Sequence, residues 1–184
     1  GDEFIRQWAF IPRRFSQDPA SNVLTIFTSM FMHGGWMHLL GNMLYLYIFG
    51  DNVEDRFGRV GFLAFYIAAG VCATFTQYYF SEGSNLPNVG ASGAIAGVLG
   101  AYMLMFPHAR VSVFIIRQVV EMPALIVIGF WIVLQLVSGF GSIAHTDETV
   151  DTGGVAYWAH VGGFVAGLAV AYLYGRRGGP SRTA

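Results

Sequence analysis

Apolar residues along this chain fall into long uncharged runs, separated by short stretches that hold nearly all the charge. A helix crossing a hydrocarbon core of about 30 Å needs roughly 20 mostly apolar residues at about 1.5 Å each. Windows of that kind predict membrane-spanning helices over residues 35–50, 60–80, 91–106, 122–140 and 157–174. The first belongs to an uncharged run from Asn22 to Gly50, with its spanning part starting near Gly35 or Trp36. Residues 1–34 precede it as a loop. Their first part carries Arg6, Arg13, Arg14, Asp18 and two prolines, which cannot span, and no signal-peptide core is visible. Val111 to Ile116 is apolar and β-branched, and Arg117 and Glu121 bracket its exit. It reads as an interfacial or re-entrant segment leading into the fourth span.

Composition agrees with lipid as the solvent. Hydrophobic residues make up 54% of the 184, mean hydropathy is +0.52, and charged residues are only 11%. A soluble domain carries about 25% charge. The same figures exclude disorder, and a net charge of −1 offers no basic surface for nucleic acid. The predicted fold class is all-α: one polytopic membrane helical bundle over residues 1–184, without repeats or low-complexity tracts. Cys72 is the single cysteine, so no internal disulfide forms.

Arginine supplies every basic charge, and its placement predicts orientation. Arg56 and Arg59 follow the first span, Arg110 follows the third, and Arg176, Arg177 and Arg182 lie in the tail. The other two loops, Ser81 to Gly90 and Gly141 to Ala156, carry Glu82, Asp147, Glu148 and Asp151 and no basic residue. The arginine-bearing loops and the C-terminal tail (175–184) are therefore expected on the cytoplasmic side. Arg6, Arg13 and Arg14 are the exception. The acidic, glycine-bearing loop 141–156 reads as a mobile cap.

Polar side chains inside a span are costly and so point to function. His38 and Asn42 are four apart on one helix face and together supply two hydrogen-bond donors. His33 lies off that face; with Trp36 it also fits an interfacial belt, and Asn42 fits interhelical glue. Ser92 opens the third span in Gly90-Ala-Ser-Gly-Ala-Ile-Ala-Gly97, where Gly93 and Gly97 give a small-xxx-small face. A serine there serves packing in many helices, but a helix N-terminus also favours developing negative charge. His160 sits near the start of the last span, ahead of Gly163 and Gly167, a second small-xxx-small pair. Packing of the two glycine faces would bring Ser92 beside His160, a nucleophile beside a base, the pattern of acyl transfer. No carboxylate completes a third position, so the chemistry would be that of a Ser–His dyad. Its oxyanion donors would be the Ser92 amide with His38 and Asn42.

The blocks HGGWMHLLGNM, VEDRFG, GASGAIAG and AHVGGFVAG, in that order from His33 to Gly167, strongly resemble the rhomboid intramembrane serine proteases. The resemblance implies Ser92 as nucleophile, His160 as general base, and His38, Asn42 and the Ser92 amide as the oxyanion hole. It implies His33 as an outer histidine holding the preceding loop, Glu54 and Arg56 as structural, and Gln77 as a polar group bringing water toward the serine. Gly90, Gly93, Gly163 and Gly167 are supporting positions of the motifs. Three features depart from the family pattern. Ala96 stands where some members place a tyrosine under the catalytic histidine, so His160 must be oriented by packing or a nearby aromatic. The family's Trp-Arg pair is not plain, since Trp8 and Arg13 are not adjacent. Five spans are visible of a six-helix core, and Gly1 in place of Met suggests a trimmed form.

The resemblance thus implies an intramembrane serine endopeptidase that cuts single-pass transmembrane proteins near the outer face. The alternative is an inactive relative that binds transmembrane clients. The expected partners are transmembrane substrates and membrane lipid, with no nucleic acid, metal or organic cofactor; the sequence carries no signal for oligomeric state. The expected location is a bacterial inner membrane.

Overall fold

The computed structural model describes residues 2–144 and 155–176. It is mostly helical, as the hydrophobic pattern predicts. Helix α5 spans Trp36–Phe57, α6 Arg59–Ser81, α7 Ser92–Met105, α8 Ala124–Ala144 and α9 Tyr157–Arg176. Four short helices precede them: α1 (Asp2–Trp8), α2 (Pro12–Gln17), α3 (Pro19–Asn22) and α4 (Thr25–Thr28), followed by a 3-10 turn over Ser29–Phe31. Of these elements α6, α8 and α9 are long and apolar enough to cross a membrane. Helix α5 has the length but carries Asp51, Glu54, Asp55 and Arg56 in its last two turns. It runs well beyond the apolar window at 35–50, because the charged end projects past the core while Val53 stays fully buried.

Helix α7 is the centre of the molecule. Its 14 residues rise only about 21 Å, and Gly93 to Tyr102 are all buried. It packs most extensively on α9, then on α6 and α5. Glycine makes the α7–α9 approach possible. A Cβ at Gly163 would collide with the Gly93 carbonyl oxygen, one at Gly167 with the Gly97 oxygen, and one at Gly100 with the Phe164 oxygen. On its other side, a Cβ at Gly97 would lie 2.5 Å from the Ala69 methyl of α6. Helix α8 is different. It touches the core mainly through α9 and turns Phe130, Val133, Leu134 and Val137 outward.

Two expectations change. The segment at 111–116, read as interfacial or re-entrant, takes a definite form: β1 (Arg110–Ile115) and β2 (Gln118–Pro123) make an antiparallel hairpin. The cause is the β-branched alternation Val111-Ser112-Val113, paired against Met122, Glu121 and Val120. Its tight turn is made by Ile116 and Arg117, both at positive φ. The region before α5 is not a plain loop but a chain of helix turns with Pro12 and Pro19 at their first positions, where a missing N–H costs nothing. The cap expected over 141–156 lies largely outside the described residues, as does the tail beyond 176.

The N-terminal helices are pinned to the loop before α7. Phe10 and Asn88 exchange backbone hydrogen bonds, and the Arg13 amide donates to the Ser84 carbonyl at 3.0 Å. Arg14 donates to the carbonyls of Ala9, at 2.6 Å, and Arg6. The Thr28 hydroxyl donates to the Trp8 carbonyl at 2.7 Å. The side chain of Arg14 and the backbones of Trp8 and Arg13 thus join in holding this region.

Candidate active site

Ser92 is the first residue of α7, and His160 lies in the first turn of α9. The glycine contacts that bring these helices together set the two side chains face to face. The Ser92 Oγ lies 2.8 Å from His160 Nε2. His160 is buried and Ser92 half-buried. Serine hydroxyl and imidazole are thus within proton-transfer distance.

The opposite edge of the imidazole is also occupied. Gln135 of α8 places its Oε1 2.7 Å from His160 Nδ1. One helical turn earlier, Trp131 packs on the same ring, with centroids 5.5 Å apart and a 39° tilt. Sequence reasoning foresaw an aromatic or packing solution for a site with Ala96 under the histidine, and Trp131 is that aromatic. It did not foresee Gln135. The only signal was a lone amide in the otherwise apolar run of α8, four residues after a tryptophan.

His38 and Asn42 share the α5 face predicted for them. His38 is exposed at the mouth of a cleft of about 1040 Å³, which Ser92 and His160 also line. Its Nδ1 accepts the Gly34 amide at 3.3 Å, so its Nε2 edge faces Gly90, where a Cβ would stand 2.8 Å from the ring. Gly90 also has φ +129°, a backbone state that side-chain-bearing residues avoid. Asn42 is buried one turn deeper, and its Nδ2 donor has no partner among the described residues. A buried donor left without a partner costs about 1–3 kcal/mol, a cost relieved when a ligand supplies the acceptor.

His33 meets His38 edge-on, with ring centroids 5.2 Å apart. Burial, then the neighbouring His38 charge, hold its pKa below the usual value, partly offset by a hydrogen bond at Phe31. Gln77 of α6 does more than face water. Its Oε1 accepts the Ala159 amide at 3.2 Å and its Nε2 donates to Ser81 Oγ at 3.3 Å, tying α6 to the start of α9. It also lines a small cavity of about 40 Å³ that reaches Ser92 and Gly90, large enough for ordered water. Glu54 pairs with Arg59 at 3.9 Å, and Arg56 stacks 5.2 Å over the Phe106 ring, both remote from the serine in structural roles. Among the described residues no group of three His, Cys, Asp or Glu side chains could hold a metal.

The family model described as Rhomboid domain matches residues 20–177. The chain belongs to the rhomboid family. With its apolar helices, this makes it an integral membrane protein. The rhomboid chain is similar to rhomboid protein 1, mitochondrial, of Saccharomyces cerevisiae, at 28% identity over 91% of this chain and 46% of the relative. It is similar to presenilin-associated rhomboid-like protein A, mitochondrial, of Danio rerio, at 34% over 56% of this chain and 28% of that protein. It is also similar to rhomboid protease GluP of Bacillus subtilis, at 32% over 83% of this chain and 28% of the relative. The rhomboid chain thus spans less than half the length of each of these relatives.

Proposed function

We propose that this rhomboid is an intramembrane serine endopeptidase acting through a Ser92–His160 dyad on single-pass transmembrane proteins. The 2.8 Å contact between Ser92 Oγ and His160 Nε2 carries the reading. His160 Nε2 takes the hydroxyl proton as Ser92 attacks the scissile carbonyl, then returns it to the leaving amine. The tetrahedral oxyanion forms beside the Ser92 amide, with His38 and Asn42 as side-chain donors, and the Asn42 Nδ2, without a partner among the described residues, supports that role. Water reaching the acyl-enzyme through the cavity beside Gln77 completes hydrolysis.

Helix α7 supports a cut near one membrane face. At about 21 Å it is shorter than a hydrocarbon core of about 30 Å, so Ser92 at its start lies within the membrane but close to a surface. A substrate helix must unwind to present a carbonyl there, so helix-breaking residues near the cleavage point favour turnover. Arginine asymmetry puts that face opposite the Arg56, Arg59 and Arg110 loops, with the C-terminus cytoplasmic or its equivalent. The expected bacterial inner membrane is weakened by two relatives that are mitochondrial by name.

The test is to incubate purified protein in detergent with a fluorophosphonate probe and a single-pass transmembrane reporter, beside Ser92→Ala and His160→Ala. Labelling and cleavage in the parent alone support the dyad. Cleavage that survives either substitution overturns it, and a parent that neither labels nor cleaves favours a client-binding role.

A further inference from the structure

The strongest unassigned observation is Gln135, an uncharged amide whose Oε1 lies 2.7 Å from the far nitrogen of a buried histidine. We infer that Gln135 is a positioning residue that fixes His160 as the Nδ1–H tautomer, leaving Nε2 free to accept the Ser92 proton. The inference rests on the dyad reading and deepens it.

A neutral imidazole carries one proton on either nitrogen, and which one is set by the partner of the other. Only a proton on Nδ1 leaves Nε2 basic toward the hydroxyl 2.8 Å away. An acceptor oxygen at Nδ1 favours that form by a full hydrogen bond. The reverse tautomer would aim the Nδ1 lone pair at the Gln135 oxygen and is satisfied only if the amide turns over to present its Nε2 donor. Trp131 packs on the ring from the same helix, so Gln135 addresses the proton and Trp131 the ring face. Among the described residues, Gln135 and Ser92 are the side chains hydrogen-bonded to this ring. Helix α7 presents Ser92 to Nε2, and α6 presents Gln77 to the backbone at Ala159. Helix α5 presents His38, an ionisable group that lines the same cleft among the described residues.

An amide differs from a carboxylate in one respect that an experiment can read. It orients the ring while stabilising the imidazolium formed during attack less than a carboxylate would. Gln135→Glu keeps an acceptor oxygen at the same reach and adds negative charge. It therefore preserves the tautomer and moves the acid limb of the kcat/KM profile to higher pH, because His160 then holds its proton more tightly.

The experiment uses the purified membrane protein with nitrogen-15-labelled histidine, comparing the parent, Gln135→Met and Gln135→Glu. Imidazole nitrogen resonances report the protonated nitrogen, and reporter cleavage gives kcat and KM. We expect Nδ1–H in the parent and its loss in Gln135→Met. With it, kcat falls about ten- to hundredfold, the worth of one buried hydrogen-bond partner, at unchanged KM. Gln135→Glu restores Nδ1–H and shifts the acid limb upward. Nδ1–H persisting in Gln135→Met, or kcat there within about twofold of the parent, overturns the inference while the dyad stands. Should Gln135→Met fail to fold, an acid limb that does not move in Gln135→Glu overturns it as well. If the parent itself is inactive in the Ser92→Ala comparison, the dyad reading fails, and the resonances still decide the tautomer.

Discussion

Replacing Gly163 by alanine tests the link between helix packing and chemistry most directly. The added methyl would stand 2.9 Å from the Gly93 carbonyl carbon and closer still to its oxygen, whereas ordinary contact begins at 3.4 Å. The obstructing atoms are backbone, so no rotamer change relieves them, and α7 and α9 must part by on the order of 1 Å. The Ser92–His160 contact of 2.8 Å then stretches beyond hydrogen-bond range. Overpacking of this kind costs about 1–3 kcal/mol of stability, and a misplacement of about 1 Å at reacting groups costs about a hundredfold in rate. Gly129→Ala is the control, since nothing lies within 4 Å of a Cβ there. It should be neutral, or stabilising by about 0.5–1 kcal/mol. Reporter cleavage and fluorophosphonate labelling read the rate, and thermal unfolding in detergent reads the stability. If Gly163→Ala labels and cleaves like the parent, the glycine contact does not set the serine–histidine distance.

Other outcomes follow from the same geometry. Asn42→Ala should lower kcat about a hundredfold or more with KM little changed, as loss of one oxyanion donor does; an equal loss in binding would point to a packing role instead. Gly90→Ala forces a side chain into φ +129° and against the His38 ring, so it should cost about 1–3 kcal/mol and much of the activity, measured together by unfolding and cleavage. His33 has a folded-state pKa held below its usual 6.5. The unfolded chain therefore binds its proton first, and stability is full above about 6.5 and declines as pH falls through and below that value. His33→Asn should flatten this part of the thermal-stability profile, and an unchanged acid slope would show that His33 does not carry it.

The core of the site could be read in the chain because membrane burial makes polar residues scarce. His38, Asn42, Ser92 and His160 stand out within apolar runs, and the glycine spacing around two of them already implied which helices meet. Gln135 is equally scarce but carries no spacing signal of its own. Its role depends on how α8 rotates against α9, which the local pattern of Leu, Val and Ile does not specify. The hairpin at 110–123 escaped for another reason. Its turn uses Ile116 and Arg117 rather than the Asn-Gly or Gly-rich pairs that announce positive φ. Gln77 was singled out for water, but its amide is mostly engaged in joining two helices, a backbone contact that sequence cannot foresee.

The seating of glycine α-carbons on the carbonyls of Gly93, Gly97 and Phe164 has a mechanical consequence. An interface made of main-chain atoms has no side-chain torsions to absorb a load, so it is stiff in the direction that separates nucleophile from base. Helix α8, which carries Gln135 and Trp131, meets the core through a thinner contact. The imidazole thus sits between a main-chain frame on the Ser92 side and side-chain contacts on the Gln135 side.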